Sequence, residues 1–354
     1  MGDRSAQTWV TATVLGLLSA AVIWGVWALG GGPLASLPSR TMRILFASQR
    51  GLAGDWDLLI TDLDGTEVVN LTNHPAIDRF GSWSSATQTL AFASDREDQD
   101  PEVFLMSLDG SGLRNLSQGK DAIDFLPAIS PDGRYVAYAS VRANEMNVIL
   151  ADIDQGTQAV VETINADQTI EFVWSPRSDA FVYTSLLPTG QAIVMVEVAT
   201  NQPAELTSSF NSSTLSPSWS PDGQQLVFAS DRDGNLDLYS IGRDGTGLVN
   251  LTNTPAINEG FPEWSPDGAH IAFLTDEPGT LDIFTMKVDG SERVNLTNSE
   301  APEAQFAWSP DSSKLLYHTL EAGDVEIFVV DADGNNVMNV TQFPGRDLDA
   351  IWVP

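Results

Sequence analysis

The chain has 354 residues, of which 48 are acidic and 17 are basic, so its net charge is −31. A charge of this sign and size repels nucleic acid and anionic lipid headgroups, and we therefore expect no nucleic-acid partner. The sequence has no cysteine, which excludes disulfide bonds. It also contains no HExxH, GxSxG or phosphate-loop motif, so it lacks the signatures of zinc peptidases, α/β-hydrolases and P-loop NTPases.

The first predicted element is an apolar segment at residues 9–30, which is 22 residues long and uncharged. At about 1.5 Å per residue this segment just crosses a bilayer core. We expect a transmembrane signal anchor at 9–30, after a short tail at 1–8 and before a tether at 31–42. The alternative is a signal peptide cleaved near residues 33–36, although the apolar core of such a peptide is usually shorter. Because large domains cross membranes largely regardless of charge, we place the rest of the chain on the extracytoplasmic side of the cell membrane.

The rest of the chain, residues 43–354, is dominated by a repeat. A Trp-Ser-Pro-Asp-Gly motif, followed by a short apolar run, recurs about every 45 residues in full or weakened form. A period of this length, with four short strands per repeat, is typical of the blades of a β-propeller. The first residues of the copies are Trp83, Ile129, Trp174, Trp219, Trp264 and Trp308. We expect the large residues at these positions to pack between blades.

The apolar run occurs once more, at residues 43–48, but no Trp-Ser motif precedes it. The missing inner strand is found at the other end of the chain, where Trp352 follows Trp308 by one more period of 44 residues. The sequence therefore predicts an all-β fold, a seven-bladed β-propeller of four-stranded antiparallel blades whose ring is closed by the C-terminal strand. Closure of this kind removes the open edges that the first and last blades would otherwise have.

Turn signals recur in phase with the apolar runs. In the fifth repeat, Asp222-Gly223 and Asp244-Gly245 separate alternating apolar segments, which is a strong hairpin signal. The fourth repeat has Arg177-Ser178 and Thr200-Asn201 in place of these pairs. We expect that blade to be less regular but present.

The combination of WSPDG, an apolar strand, SDRDGN, DLY, DG and NLT resembles the repeats of the TolB family of envelope β-propellers. The resemblance covers residues 43–354, and the chain has one blade more than TolB itself. It implies a propeller fold. It implies less about activity, because similar repeats occur in scaffolds, beside the catalytic domains of prolyl-oligopeptidase-like and tricorn-type peptidases, and in oligogalacturonate lyases.

A carboxylate lies five residues before the anchor in five of the seven repeats, just ahead of the predicted inner strand. Since inner strands line the central channel of a propeller, these side chains should surround one channel mouth. Converging carboxylates raise each other's pKa or bind a cation such as Ca²⁺. The alternative is that each carboxylate accepts hydrogen bonds within its own loop. The residues are Asp78, Asp124, Glu259, Glu303 and Asp347, with Thr169 and Thr214 at the other two positions.

Two further patterns have simpler explanations. The order Asp231, Asp233, Asn235, Asp237 is similar to part of a calcium-binding loop, but it lies between two strands and fits a polar hairpin turn. Five of six N-x-S/T sequences fall in the repeated fourth strand, so the repeat explains them. These asparagines are Asn70, Asn115, Asn211, Asn250, Asn295 and Asn339.

We therefore expect a membrane-anchored, extracytoplasmic β-propeller that acts as a non-catalytic protein-binding or scaffold module, with a protein partner in the cell envelope. One alternative is a sensor domain that binds a small ligand or Ca²⁺ at the channel mouth. Another is a polysaccharide lyase or hydrolase that works over the channel. The presence of only three histidines and few basic residues argues against this enzyme, because it would have to bind an acidic sugar with cations. No cofactor is predicted, with Ca²⁺ kept as an alternative, and the partner's identity and the oligomeric state are left open.

Overall fold

The computed structural model describes residues 42–354 except 50–54, 98–99, 120, 166–169, 188–189, 208–211, 278, 322–323 and 343–344. These residues form seven four-stranded antiparallel sheets. The prediction of an all-β, seven-bladed propeller is therefore confirmed. The predicted tail, signal anchor and nearly all of the tether lie outside the described residues. Within the described part of the chain, no helix is long and apolar enough to span a bilayer.

The strands of each blade are given from the inside outward, and blades are numbered in chain order. Blade 1 contains β28 (Asp347–Val353), β1 (Arg43–Ser48), β2 (Asp57–Thr61) and β3 (Val69–Asn70). Blade 2 contains β4 (Asp78–Ser84), β5 (Thr89–Ser94), β6 (Glu102–Met106) and β7 (Arg114–Asn115). Blade 3 contains β8 (Ile123–Ile129), β9 (Tyr135–Arg142), β10 (Glu145–Asp152) and β11 (Thr157–Asn165). Blade 4 contains β12 (Phe172–Trp174), β13 (Ala180–Leu187), β14 (Gly190–Glu197) and β15 (Gln202–Glu205).

The remaining blades follow the same order. Blade 5 contains β16 (Thr214–Trp219), β17 (Gln225–Ser230), β18 (Asp237–Gly242) and β19 (Val249–Asn250). Blade 6 contains β20 (Glu259–Trp264), β21 (His270–Thr275), β22 (Asp282–Lys287) and β23 (Val294–Asn295). Blade 7 contains β24 (Glu303–Trp308), β25 (Lys314–Glu321), β26 (Asp324–Asp331) and β27 (Met338–Asn339). Blade 4 is present with an inner strand of only three residues, in line with the irregularity expected for its repeat.

The ring closes as predicted. Strand β28 pairs with β1, and Val353 lies opposite Arg43 while Asp347 lies opposite Ser48. The last residues of the chain therefore supply the inner strand of the first blade. We call the face where inner strands begin the top face, and the face where β28 ends and β1 begins the bottom face.

In six blades a bulge interrupts the inner strand two residues after the position of the repeat carboxylate or its threonine equivalent. The residues there have positive φ angles, between 33° and 58°, and the pairing register shifts beside them. A bulge of this kind turns the strand and redirects its side chains. It separates a top part of each inner strand from the bottom part that carries the tryptophan. The bulge residues are Phe80, Leu126, Ser216, Phe261, Gln305 and Asp349.

The repeat tryptophans connect neighbouring blades, as expected from their packing role. The Trp174 indole donates a hydrogen bond to the Ala128 carbonyl at 2.8 Å, and the Trp352 indole donates to the Ala307 carbonyl at 2.9 Å. Both rings are more than nine-tenths buried. Trp219 and Trp308 form the same kind of bond, whereas the indole nitrogens of Trp83 and Trp264 have no hydrogen-bond partner among the described residues, so four of the repeat tryptophans add a directional bond to the packing between blades.

Two of the Asp-Gly turns require glycine because of the neighbouring blade. Gly290 has a φ of +85°, and a Cβ at this position would lie 2.2 Å from the Leu251 carbonyl oxygen of blade 5. Gly65 is placed in the same way against the Val340 carbonyl oxygen of blade 7, at 2.1 Å. The turn residue therefore also controls the distance between blades.

Candidate functional site

The predicted carboxylates lie at the top of the inner strands, in equivalent places. Each is the first or second residue of its strand and lies opposite a serine or threonine that ends or nearly ends the second strand. All five are almost completely buried, with exposed fractions of 2% or less. Thr214 has the same position in blade 5, and Thr169 lies outside the described residues. The pairs are Asp78–Ser94, Asp124–Ser140, Glu259–Thr275, Glu303–Thr319 and Asp347–Ser48.

Two of these carboxylates are bound by hydroxyl groups of their own surroundings. The Ser48 hydroxyl donates to Oδ1 of Asp347 at 2.5 Å. Glu303 accepts from the Ser299 hydroxyl at 2.5 Å and from the Thr297 hydroxyl at 3.1 Å. Burial raises the pKa of Glu303 to about 7, although both hydroxyls oppose this shift. This carboxyl therefore changes its charge near neutral pH.

Two others form ion pairs with arginines that come from different parts of their blades. Arg96, from the turn after β5, donates to Oδ1 of Asp78 at 2.9 Å. Arg293, the residue directly before β23, donates to Oε1 of Glu259 at 3.0 Å. Burial raises the pKa of Glu259 in spite of this arginine.

Both arginines also lie over aromatic rings of their own blade. The Arg96 guanidinium is 5.2 Å from the ring centres of Phe92 and Phe104. The Arg293 guanidinium lies 5.2 Å from the Phe273 ring. The same combination of carboxylate, guanidinium and aromatic ring therefore stabilises the tops of blades 2 and 6.

Blade 3 has no such arginine at its carboxylate. Arg142 occupies the sequence position of Arg96, but its side chain is exposed at the end of the longer strand β9. Within the described part of the chain, Oδ1 of Asp124 has no hydrogen-bond partner. Burial, together with the charge of Asp124, raises the pKa of the neighbouring Tyr138 hydroxyl far above its ordinary value.

These contacts show what the carboxylates do in the fold. Four of the five accept hydrogen bonds from side chains of their own blade or of the loop that leads into it. Across the described residues, no group of three or more histidine, aspartate or glutamate side chains is arranged to hold a metal ion. The carboxylates form a polar frame under the top face, and a binding role for them stays a prediction.

The outer asparagines extend this frame. In four blades the asparagine amide donates to a carboxylate at the start of the third strand, at 2.6–2.8 Å. An amide nitrogen in such a bond is occupied by the fold, which supports the repeat as the reason for the N-x-S/T sequences. The pairs are Asn70–Asp57, Asn115–Glu102, Asn250–Asp237 and Asn295–Asp282. Asn211 lies outside the described residues.

The segment similar to a calcium loop is a hydrogen-bonded turn. Asp231 accepts from the Ser213 backbone at 2.8 Å, and Asp233 accepts from the Tyr239 hydroxyl at 2.6 Å. The Asn235 amide donates to the Ile257 carbonyl at 2.6 Å. These side chains point to separate partners, as a polar hairpin turn requires.

A charged cluster lies at the mouth of the channel between blades 1, 2 and 7. Arg79 forms a bidentate ion pair with Asp349, at 3.0 and 3.1 Å, and stacks on Trp56 and Phe80 at 4.7 Å from each ring centre. His318 lies behind it and is 2% exposed, and its Nδ1 is 3.1 Å from the Gln305 carbonyl oxygen. Burial lowers the pKa of His318, so the ring is neutral at pH 7.

A second acidic position lies lower in the channel wall. Oε1 of Glu263 accepts the Trp308 backbone N–H at 3.2 Å and so connects blades 6 and 7. Desolvation raises the pKa of Glu263 to about 8, and repulsion by the Glu171 carboxylate adds to the effect. Glu263 is therefore largely protonated at neutral pH.

The top face also carries two exposed isoleucines that sequence reasoning did not single out. Ile77 is 47% exposed and Ile123 is 44% exposed, and each directly precedes the buried carboxylate of its blade. Blades 2 and 3 are adjacent, and their inner strands contact each other. The equivalent residues of the other described blades are Ser213, Asn258, Pro302 and Arg346. Alignment of the repeats on their carboxylates would have revealed this apolar pair.

Comparison with known proteins agrees with this architecture. The sequence profile of the TolB beta propeller domain matches residues 38–172 and 166–306, which together make up most of the chain. The chain belongs to the TolB β-propeller family. The protein TolB homolog of Chlorobium luteolum is 30% identical over 142 residues, which is 40% of this chain and 31% of that protein. The chain thus spans about a third of this TolB relative.

Solved structures share the fold at lower identity. TolB from Acinetobacter baumannii superposes with a TM-score of 0.59 at 18% identity, over 88% of this chain and 66% of that one. An oligogalacturonate lyase in complex with manganese gives a TM-score of 0.61 at 16% identity, over 84% of each chain. At these identities the likeness to both proteins establishes the fold alone.

Proposed function

We propose that this TolB-family chain is a non-catalytic binding module that is anchored in the membrane through residues 9–30. Its propeller would lie on the extracytoplasmic side and bind a protein of the cell envelope at the top face. Membership of the TolB β-propeller family supports this role, because the relatives that match the chain include proteins named TolB homolog. The observation that carries the proposal is the apolar pair Ile77 and Ile123 beside the channel mouth.

The surroundings of this pair have the composition of a protein interface. The half-buried Phe80 and Leu126 lie at the bulges of the same two blades. The Arg79–Asp349 ion pair adds a polar group at the margin. Aromatic and aliphatic side chains surrounded by a charged rim are typical of protein–protein contacts.

The buried frame supports a binding role over a catalytic one. Four of the five repeat carboxylates accept hydrogen bonds from nearby side chains, and the Arg79 guanidinium is paired with Asp349. His318 is neutral and buried against a backbone carbonyl. In this arrangement His318 and Arg79 serve the fold, and Ile77 and Ile123 remain exposed to a partner.

The proposal is tested by affinity purification from an envelope extract. The tagged chain is compared with a variant in which Ile77→Asn and Ile123→Ser introduce the residue types of other blades. We expect a partner that is retained by the unchanged chain and lost by the variant. Val337→Ser serves as the control, because Val337 is an exposed apolar residue directly before β27, the outermost strand of blade 7. Equal recovery of every protein by all three chains would contradict the proposal.

A further inference from the structure

The outermost strand of blade 3 differs from its counterparts. Strand β11 has nine residues. The outermost strands of the other blades have two residues, or four in blade 4, within the described ranges. At about 3.4 Å per residue, β11 extends for roughly 30 Å along the outside of the propeller.

This strand has one edge without a neighbour. The sheet order places β11 at the margin of blade 3, paired to β10 alone among the strands that the structure describes. In an antiparallel sheet, alternate residues of such a strand direct their N–H and C=O groups away from the sheet. Val160, at its centre, is 58% exposed. Among the described residues, no strand pairs with the outer edge of β11.

The usual protection of an edge strand is weak here. Strand β11 reads TQAVVETIN and contains no proline and no lysine. Its sole charged residue, Glu162, accepts a hydrogen bond from the Tyr183 hydroxyl of blade 4. One bulge interrupts its pairing to β10 beside Val148. Threonine, valine and isoleucine favour the extended conformation that a further strand would need.

The charges around β11 determine what can pair with it. Glu145 and Asp154 are exposed near its two ends, and the exposed Glu205 of blade 4 lies beside Glu162, close enough for both to act on Tyr183. Two exposed cations lie near the strand: Arg142 at the tip of the adjacent hairpin, and Arg134, which is paired with Asp152 at the other end. A second copy of the chain would bring another net charge of −31 to this acidic edge. Charge complementarity favours a basic strand instead.

We propose that the outer edge of β11 binds an extended, basic segment of another protein by β-strand addition. Main-chain hydrogen bonds to alternate residues of 157–165 hold the segment, and its lysine or arginine side chains face the acidic flanks. This site is independent of the top face, so either proposal can fail without the other.

The test uses the full chain in detergent micelles and a nine-residue peptide of alternating lysine and threonine. Binding is measured by fluorescence anisotropy, and hydrogen exchange of the amides at 157–165 is followed with and without the peptide. We expect saturable binding and slowed exchange at alternate residues of β11. A peptide of the same sequence with N-methyl groups on alternate residues should not bind, because it keeps the charge but cannot extend a sheet.

Matched variants separate this site from general charge attraction. Val160→Lys adds a cation to the centre of β11 and should weaken binding about threefold, the effect expected for a like charge across paired strands. Val249→Lys adds the same charge to the short outer strand of blade 5, where valine is 51% exposed, and should leave affinity unchanged.

Three results would overturn the proposal. The first is equal binding of the N-methylated peptide, and the second is protection at residues 77 and 123 in place of 157–165. The third is a dimer in sedimentation velocity that Val160→Lys dissociates, which would assign the edge to a second copy of the chain.

Discussion

The pH dependence of stability can be derived from Glu303. This residue is 0% exposed, and burial raises its pKa to about 7 from an ordinary value of 4.5. The folded state therefore holds more protons than the unfolded state between these two values. It follows that the stability contributed by Glu303 is complete below pH 4.5 and is lost as the pH rises through 7. A difference of this size corresponds to about 3 kcal/mol.

The substitution Glu303→Gln removes this titration and keeps an oxygen that can accept from Ser299. We expect the unfolding free energy of the unchanged propeller, residues 40–354, to fall by about 3 kcal/mol more than that of the variant between pH 4.5 and 8.5. Urea denaturation followed by circular dichroism measures both curves. Since Glu259 and Glu263 also have raised pKa values, the difference between the two proteins is the informative quantity.

The control is Glu67→Gln, because the Glu67 side chain is 68% exposed. Its curve should run parallel to that of the unchanged propeller. If Glu303→Gln also runs parallel, the Glu303 carboxyl does not titrate in this window, and the account of a desolvated frame would be wrong.

Four other predictions concern the ring, the membrane, cations and the turns. Deletion of residues 347–354 removes the inner strand of blade 1 and should cost several kcal/mol, so a melting temperature within a degree or two of the full propeller would refute the closure. Residues 9–30 should keep the chain in the membrane pellet after carbonate washing, and added protease should reach the propeller in spheroplasts; release into the wash would contradict the anchor. Millimolar Ca²⁺ added after EDTA should leave the melting temperature unchanged, because no group of three carboxylates among the described residues is arranged to hold a metal ion, and a rise would reveal a cation site. Gly290→Ala should destabilise the propeller by at least about 1 kcal/mol more than Gly112→Ala, as measured by urea denaturation. Both glycines have positive φ, but a Cβ at Gly290 would clash with blade 5, whereas no atom lies within 4 Å of a Cβ at Gly112. Equal costs would mean that the contact with blade 5 is unimportant.

The fold could be predicted from the sequence because its signals are local and repeated. The apolar run, the Asp-Gly turn and the tryptophan each recur in phase. Trp352 keeps the same period and lies in the strand that pairs with the first apolar run, which begins at Arg43. Each signal is weak in one copy, but seven copies must satisfy the same geometry. Strand pairing in a propeller is mostly between neighbours in the chain, so period and turn chemistry determine it.

Less of the candidate site than of the fold could be predicted from the sequence. The repeat located Asp78 and its counterparts at the tops of the inner strands, but their burial depends on partners that the repeat does not fix. Arg96 and Arg293 reach equivalent carboxylates from different strands, and sequence spacing gives no hint of that convergence. The pairing of Arg79 with Asp349 joins residues 270 positions apart, which only the closed ring brings together.

The long outer strand of blade 3 was missed for a related reason. It pairs with β10, which is joined to β9 by a hairpin in which Ala143 and Asn144 both have positive φ, between two strands of eight residues. This two-residue turn extends β9 and β10, and β11 pairs along the whole of β10. The sequence lacks the Asn-Gly or Asp-Gly pair that usually marks such a turn.

Photo-crosslinking in the cells that make the protein can show whether the top face of the propeller contacts an envelope protein. A photoreactive amino acid is placed at Ile77 or Ile123 on the top face, and at Val337 on the side of blade 7 as the control. We expect the two top-face positions to crosslink to the same envelope protein and Val337 not to do so. No crosslink from the top face, or the same products from all three positions, would contradict the claim that this chain binds a partner there.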